Sequence, residues 1–288
     1  MGAAETLLGR IVDYAGLFPP AVLDMESAVR NYQRYLGGDD AWMLGGFVVP
    51  ASRLSEFAGA FEKVCCGEQE SPWTLSVVCA GENADDVQAI QDFRQGAVFI
   101  ESLETKAADG RAAEEVLKKL PAARVRHVEF PPEEAAQVLP VLAQYGARAK
   151  IRMGGVTAES IPAAETVARF VLACAREGVA WKATAGLHHA VRAVRELTPG
   201  GARVAMHGFV NLFLAGTLAF FGADEPAIVK TLKEKDAREF RADDDVLRWH
   251  DNVVITDQVE QVRGEFAISF GSCSFEEPVE DVKAMGWV

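Results

Sequence analysis

The chain reads as an α/β protein, a (β/α)8 TIM barrel with a C-terminal extension. Three observations predict this class. Short β-rich runs alternate with helix-patterned runs, the count of such strands reaches eight, and the stretch holding them is about 220 residues, the length such a barrel needs. The 288 residues are 49% hydrophobic, enough apolar material for one large core. An open doubly wound sheet alternates strand and helix in the same way. It usually carries a Gly-x-Gly-x-x-Gly loop after its first strand, and this sequence has none.

The expected strands are 11–14, 46–49, 74–79, 97–101, 125–129, 147–152, 180–184 and 203–207. Between them, 3.6-residue periodicity predicts helices over 25–36, 52–64, 84–94, 111–120, 132–145 and 161–177. Ser52 and Asn83 stand where N-caps belong, and Pro132 with two following glutamates suits a first turn. Gly146 and Gly178 fall just past helix ends, where a left-handed cap calls for glycine. A last apolar helix spans 209–221. The barrel is therefore expected over 1–222. Residues 223–288, with a helix near 225–235 and mixed segments around 253–255 and 266–270, are expected as an extension packed on it.

Forty-two acidic against 29 basic side chains give a net charge of −13, which repels a nucleic-acid partner. The first 25 residues carry Glu5, Arg10, Asp13 and Asp24 and predict no secretory leader. The longest apolar run, 209–222, is interrupted by Asn211, Gly216 and Thr217 and is too short to span a membrane. Five cysteines, Cys65, Cys66, Cys79, Cys174 and Cys273, show no metal-type spacing and are expected as reduced thiols. A cytoplasmic protein with no nucleic-acid or membrane partner is the expectation, and association into a homo-oligomer is compatible with it.

Alternation along a strand decides which side chains point into a barrel. One face of the fifth strand carries Val125, His127 and Glu129; the sixth carries Lys150 and Arg152, the seventh Lys182 and Thr184, and the expected eighth Arg203, Ala205 and His207. The opposite faces carry Val128, Ile151, Trp181, Ala183, Val204 and Met206, suited to packing under helices. Glu101 at the expected end of the fourth strand joins the inward set. Barrel enzymes place their chemistry at the C-terminal strand ends, so this cluster reads as a site. The competing reading is an interior ion-pair network in which Glu101 and Glu129 neutralise Lys150, Arg152 and Lys182. Desolvating that many charges merely for shape argues against it. His127 is expected as a hydrogen-bonded interior residue.

Lys150-Ile151-Arg152-Met153-Gly154-Gly155 ends the sixth strand and Lys182-Ala183-Thr184-Ala185-Gly186-Leu187 the seventh. A lysine with glycine four residues later on consecutive strands resembles deoxyribose-phosphate aldolase and related Schiff-base aldolases. The Arg-His-Val-Glu run ending at Glu129 is similar to the fifth-strand end there. The resemblance covers about 65 residues. It implies that Lys150 forms an imine with substrate and that Lys182 is the neighbouring cation that lowers its pKa. The physics agrees in direction, since a nearby cation and partial burial favour a neutral, nucleophilic amine. Glu129 or Glu101 could then move protons. The family's phosphate cradle of small residues is not matched, because Gly186 is followed by Leu187-His188-His189 and the eighth run ends His207-Gly208-Phe209.

Further residues cluster by position with this mouth. Gly154 and Gly155 could offer backbone N–H groups to an anion, or simply make a tight turn. Arg152 is placed for a carboxylate. His188, His189 and His207 lie beside it; His207 suits acid–base work. With Glu101 or Glu129, His189 and His207 could instead ligate a divalent ion, but no paired-histidine spacing supports that and the lysines would repel a dication. No metal and no cofactor is expected. Asp13 or Tyr14, in the Asp13–Pro20 run with its Pro-Pro corner, could line the pocket, and Asn211 could reach it as a neutral hydrogen bonder. Cys273 is expected as an inert thiol.

The expected activity is thus aldolase-type lyase chemistry on a small anionic carbonyl metabolite, with Lys150 as nucleophile, Lys182 as cation, and Glu129 and His207 in proton transfer. Arg152, Glu101, Thr184, Gly154, Gly155, His189, Asn211, Asp13 and Tyr14 are the expected substrate contacts. Two alternatives stay open: a metal-dependent hydrolase, lyase or isomerase using Glu101, Glu129, His189 and His207, and a non-catalytic barrel that binds an anion.

Overall fold

A computed structural model describes residues 2–65, 72–80, 83–121, 123–197 and 200–288. The strands in chain order are β1 (Val12–Tyr14), β2 (Leu44–Pro50), β3 (Trp73–Val78), β4 (Val98–Lys106), β5 (Val125–Glu129), β6 (Arg148–Arg152), β7 (Trp181–Thr184), β8 (Ala193–Glu196), β9 (Arg203–Met206), β10 (Phe240–Ala242), β11 (Val246–Trp249), β12 (Asn252–Ile255) and β13 (Ala267–Ser272). The helices are α1 (Ala3–Leu8), α2 (Met25–Leu36), α3 (Leu54–Val64), α4 (Ala84–Asp92), α5 (Gly110–Lys119), α6 (Ala135–Gln144), α7 (Ala164–Glu177), α8 (Phe209–Phe220), α9 (Glu225–Lys233), α10 (Thr256–Glu265) and α11 (Glu276–Ala284). Eight strands close into one barrel in the order β1-β13-β7-β6-β5-β4-β3-β2. Every neighbouring pair is parallel. This is the (β/α)8 class that the alternation predicts.

The eighth strand is not the expected one. Arg203–Met206 is extended, but it pairs antiparallel with β8 as a small hairpin outside the barrel. The closing strand is β13, which lies between β7 and β1. Burial explains the difference. A barrel strand is covered on both faces, and β13 is buried along almost its whole length, whereas β9 exposes Arg203 and half-exposes Val204 and Ala205. The expected boundary at 222 therefore falls inside the barrel's own chain. Residues 223–288 supply a barrel strand, and what they add is the antiparallel sheet β10–β12 with α9 and α11. A second shift concerns β4, which runs on to Lys106, past its expected end at Glu101.

Local chemistry sets several helix boundaries. Asp24, Asp109 and Asp224 each accept a backbone N–H from the first turn of α2, α5 and α9, and Asn83 does the same for α4. Ser52 is not a cap; it sits in a 3₁₀ turn over Ala51–Arg53 that precedes α3. Gly178 ends α7 with φ of 63°, a conformation that penalises any side chain. Between the barrel and its helices, Tyr14, Tyr32, Phe47, Phe57 and Trp73 form one aromatic cluster, and Trp181, Phe213 and Phe266 another. Burying each large side chain contributes about 1.5–3 kcal/mol before conformational entropy is counted. Arg263 of α10, half-buried, donates to the carbonyls of Gly9, Ala267 and Ile268 and ties α10 to the closing strand. Cys65, Cys79, Cys174 and Cys273 are free thiols; Cys66 lies outside the described residues. Among the described residues no helix is long and apolar enough to cross a membrane.

Candidate active site

The inward parity of β5, β6 and β7 brings His127, Glu129, Lys150, Arg152, Lys182 and Thr184 to one side of the sheet, and register aligns them. Glu129 pairs with Lys150, Lys150 with Lys182, and Arg152 with Thr184 across neighbouring strands. Lys150 and Lys182 are 5% and 2% exposed. They meet on Glu104 of β4: Lys150 Nζ lies 2.7 Å from its Oε2 and Lys182 Nζ 2.6 Å from its Oε1. Lys182 also donates to Asp13 Oδ2 at 2.6 Å, and Lys150 stands 3.1 Å from Glu129 Oε2. Glu129 Oε1 in turn faces Arg152 at 3.1 Å and Lys106 at 3.3 Å. The chain of charges thus runs Asp13–Lys182–Glu104–Lys150–Glu129, with Arg152 and Lys106 at its outer end.

Hydrogen bonds fix the carboxylates from the other side. Asp13 accepts from the Gly46 backbone N–H and the Ser269 hydroxyl, and Glu104 from the Ser76 hydroxyl. Burial pushes the Glu104 carboxyl up, but Lys150 and Lys182 outweigh it and hold it well below the usual carboxylate range. Glu129 is lowered in the same way, against its burial, by Lys150, Arg152 and Lys106. Burial pushes the Lys182 ammonium down, yet Asp13 and Glu104 raise it above the ordinary lysine value. Lys182 is therefore a fixed cation.

The network lies beneath a cavity of about 400 Å³ at the C-terminal strand ends, lined by Glu104, Lys150, Lys182, Arg152 and Thr184. Phe18, Pro19 and Pro20 form part of its wall, as the Pro-Pro corner suggested, with Gly155, Gly186 and His188 on the rim. A cleft of about 610 Å³ shares Lys106 and Arg152 with it. Gly154 packs directly on Gly186: a Cβ on either would come within 2.8 Å of the other's Cα. That close approach is what the glycine after each lysine permits.

Several expected site residues stand elsewhere. Glu101 is near the start of β4, at the opposite end of the barrel, 3.4 Å from Arg10 and 3.7 Å from Arg124. Glu104, three residues further on and past an irregularity in the β3–β4 register at Glu101, holds the place assigned to it. His207 lies beyond β9, not on a barrel strand; its Nε2–H donates to the Pro162 carbonyl and its Nδ1 faces Arg192. Burial lowers its pKa to about 4. Asn211 is buried in α8, where it accepts from Arg192 N and donates to the carbonyls of Thr231 and Glu234, a tie between helices. His189 pairs with Asp281 of α11 at 3.2 Å. The four residues of the metal alternative, Glu101, Glu129, His189 and His207, therefore keep separate partners in separate places. Among the described residues no cluster of three His, Cys, Asp or Glu is placed to hold a metal ion.

Of the Asp13–Tyr14 pair, Asp13 enters the network and Tyr14 does not. Tyr14 faces outward into the aromatic cluster, where burial pushes its hydroxyl up to about 12 and Asn31 donates to it. His127 is buried as expected but not hydrogen-bonded: neither ring nitrogen has a partner among the described residues. Sequence reasoning missed Glu104, Ser76 and Ser269. The signal for Glu104 was present, since Ser102, Glu104 and Lys106 continue the alternation of β4 against Leu103 and Thr105.

No protein-family model and no curated protein matches the chain. Among solved structures it is similar to a deoxyribose phosphate aldolase from Aeropyrum pernix described as a unique tetramer. The two share 15% identity over 65% of this chain and 80% of that one, with a TM-score of 0.43. The barrel assignment rests on the chain's own closed strand order.

Proposed function

We propose that the chain is an aldolase-type lyase that forms an imine between Lys150 and a small anionic carbonyl metabolite. The observation that carries this reading is the convergence of two buried lysine amines on one carboxylate, Glu104, beneath an open cavity. The pair is not symmetric. Lys182 is hydrogen-bonded on both sides by Asp13 and Glu104 and keeps its proton. Lys150 is held less closely, at 2.7 and 3.1 Å, and lies beside that permanent cation on the neighbouring strand.

In the proposed reaction Lys150 gives its proton to Glu104 or Glu129 as the carbonyl compound docks. The freed amine attacks the carbonyl carbon, the carbinol oxygen takes up that proton and a second one from the attacking nitrogen, and water leaves as the C=N bond of a protonated imine forms. His207 has no part in it, and Glu104 takes the role that Glu101 was expected to share. The anionic class follows from charge. Three carboxylates, Asp13, Glu104 and Glu129, face four cations, Lys106, Lys150, Lys182 and Arg152, leaving one positive charge in excess. Arg152 and Lys106 are the exposed ones, 46% and 62%, and are free to turn toward an incoming carboxylate or phosphate. Assembly into a homo-oligomer belongs to the same reading and is checked by light scattering.

The complete pairing of both lysines supports a second reading, a barrel that binds the anion without turnover. One experiment separates them. The protein is incubated with a panel of aldehydes and 2-oxo acids, reduced with borohydride, and mapped by peptide mass spectrometry. The expected adduct is on Lys150 and is missing in Lys150→Met. Modification confined to exposed lysines, with every carbonyl compound, would overturn the imine and leave the binding barrel.

A further inference from the structure

We propose that the N-terminal end of the barrel holds a second site, for a small oxyanion, built on His127 and Arg148. A cavity of about 890 Å³ lies there, at the far end of the interior from the mouth. Barrel interiors of this class are normally filled by layers of bulky side chains. Here the inward positions include four small residues, Gly46, Ser76, Ser102 and Ser269, all of which line the cavity and leave it hollow.

Two groups in that space have no partner among the described residues. His127 is 3% exposed, lines the cavity, and has neither ring nitrogen hydrogen-bonded. An unsatisfied buried donor is destabilising, so its retention calls for a ligand or an ordered water in the working protein. Arg148, the register partner of His127 on the next strand, also lines the cavity. It is half-buried and, among the described residues, makes no ion pair or hydrogen bond; the nearest acid acting on it, Glu101, is already engaged by Arg10 and Arg124.

The charge at this end favours an anion over a cation on the β4–β6 side. Arg10 and Arg124 share the single carboxylate Glu101 at 3.4 and 3.7 Å, so with Arg148 three guanidinium groups face one acid. The acids of α1 and α10, Glu5, Asp257 and Glu260, line the other side, by β1 and β13. Burial keeps the His127 imidazole neutral, so it supplies one N–H donor, while Arg148 supplies a planar fork. An imidazole N–H beside a bare guanidinium suits a carboxylate or a phosphate, whose oxygens only accept. Lys182 and Asp13 form the inner wall and line both this cavity and, for Lys182, the mouth. The second site does not depend on imine chemistry at Lys150.

The test titrates inorganic phosphate and, separately, malonate at constant ionic strength. Calorimetry and the ring ¹H–¹⁵N resonances of His127 are the readouts, with chloride as the control. One equivalent of phosphate or malonate is expected to bind with movement of the His127 resonances, and the tighter of the two defines the oxyanion chemistry. Binding is expected to persist in Lys150→Met and to weaken about tenfold or more in Arg148→Met, the scale of one charge-assisted hydrogen bond. Arg148→Lys, which keeps the charge and loses the fork, is the second variant should Arg148→Met not fold, and it too is expected to weaken binding. The proposal is overturned if saturating anion leaves the His127 resonances of the native protein unmoved. It is equally overturned if binding vanishes in Lys150→Met and is unchanged in the Arg148 variants, which would assign the anion to the mouth.

Discussion

At the upper end of the barrel interior Lys150 and Lys182 share Glu104, and Asp13 and Glu129 complete their pairing. At the lower end, among the described residues, His127 keeps both nitrogens unpartnered and Arg148 has no acid within ion-pair distance, Glu101 being taken by Arg10 and Arg124. The same strands carry both sets, a few residues apart. Burial is comparable for His127 and the lysines, so dielectric alone does not separate the two ends. What differs is where the acids reach: Glu129 is the register partner of Lys150, and Glu104, although level with His127 in register, turns its carboxylate to the two lysines, while Glu101 sits at the rim and is occupied by Arg10 and Arg124. The upper end is therefore preorganised, its charges held by one another. The lower end has donors in place and lacks the acceptor.

The comparison is broken most directly at Glu104. Glu104→Gln leaves two buried ammonium groups sharing only Asp13 and Glu129, and removing one partner of a buried ion pair costs about 3–5 kcal/mol. Urea unfolding is expected to show a loss of that order, and a change under about 1 kcal/mol would mean that water, not Glu104, balances the lysines. The acid limb follows. Glu104 and Glu129 are depressed in the folded state, so their contribution is present above 4.5, the ordinary glutamate value, and is lost as pH falls through their lower folded values.

A second effect has the same sign at higher pH. His127 and His207 are bases held neutral by burial, with His207 at about 4 against an ordinary 6.5. The unfolded chain takes up these protons below pH 6.5 and the folded chain does not, so stability drops as pH falls from 6.5. For His207 the drop levels off near 4 and totals roughly 3 kcal/mol. His207→Gln is expected to remove that share of the slope in unfolding midpoints measured between pH 7 and 4, leaving the share of His127. An unchanged slope would place His207 in contact with water. Gly154→Ala is expected to cost about 1–3 kcal/mol, because its Cβ would press on Gly186 Cα at 2.8 Å, and to reduce the Lys150 adduct yield. Circular-dichroism melts and borohydride trapping check it together. Arg10→Ala breaks an exposed pair of 3.4 Å and is expected to change stability by less than about 0.5 kcal/mol. A larger loss would show that the lower rim is already an ordered network without a ligand.

The alternation that carried β5, β6 and β7 also carried their inward residues, from His127 to Thr184, because a period of two admits only one other assignment. The mouth was legible to that extent. Glu104 was lost by ending β4 at Glu101, where the apolar run of Val98 to Ile100 stops; the strand continues through Ser102 and Glu104 because interior polar groups receive them. His207 was drawn into the site by a real strand in the wrong sheet. Arg203–Met206 and Ala267–Ser272 both look extended, and local pattern does not tell a hairpin from a barrel strand. Only burial on both faces separates them. The unpaired state of His127 had no sequence signal, since it depends on what its neighbours do with their own hydrogen bonds.

The closing strand's place in the chain bears on how the protein is made. β1 begins at Val12 and its neighbour β13 ends at Ser272, so the barrel is stitched shut by segments far apart in the sequence. During synthesis β1 and β7 present raw parallel edges until β13 has been made, and a chain stopped at residue 222 would carry those edges permanently. Such edges invite pairing with other chains. The nascent protein is then prone to aggregate in the interval before β13 is made, and assistance that shields sheet edges over that interval bears on its yield.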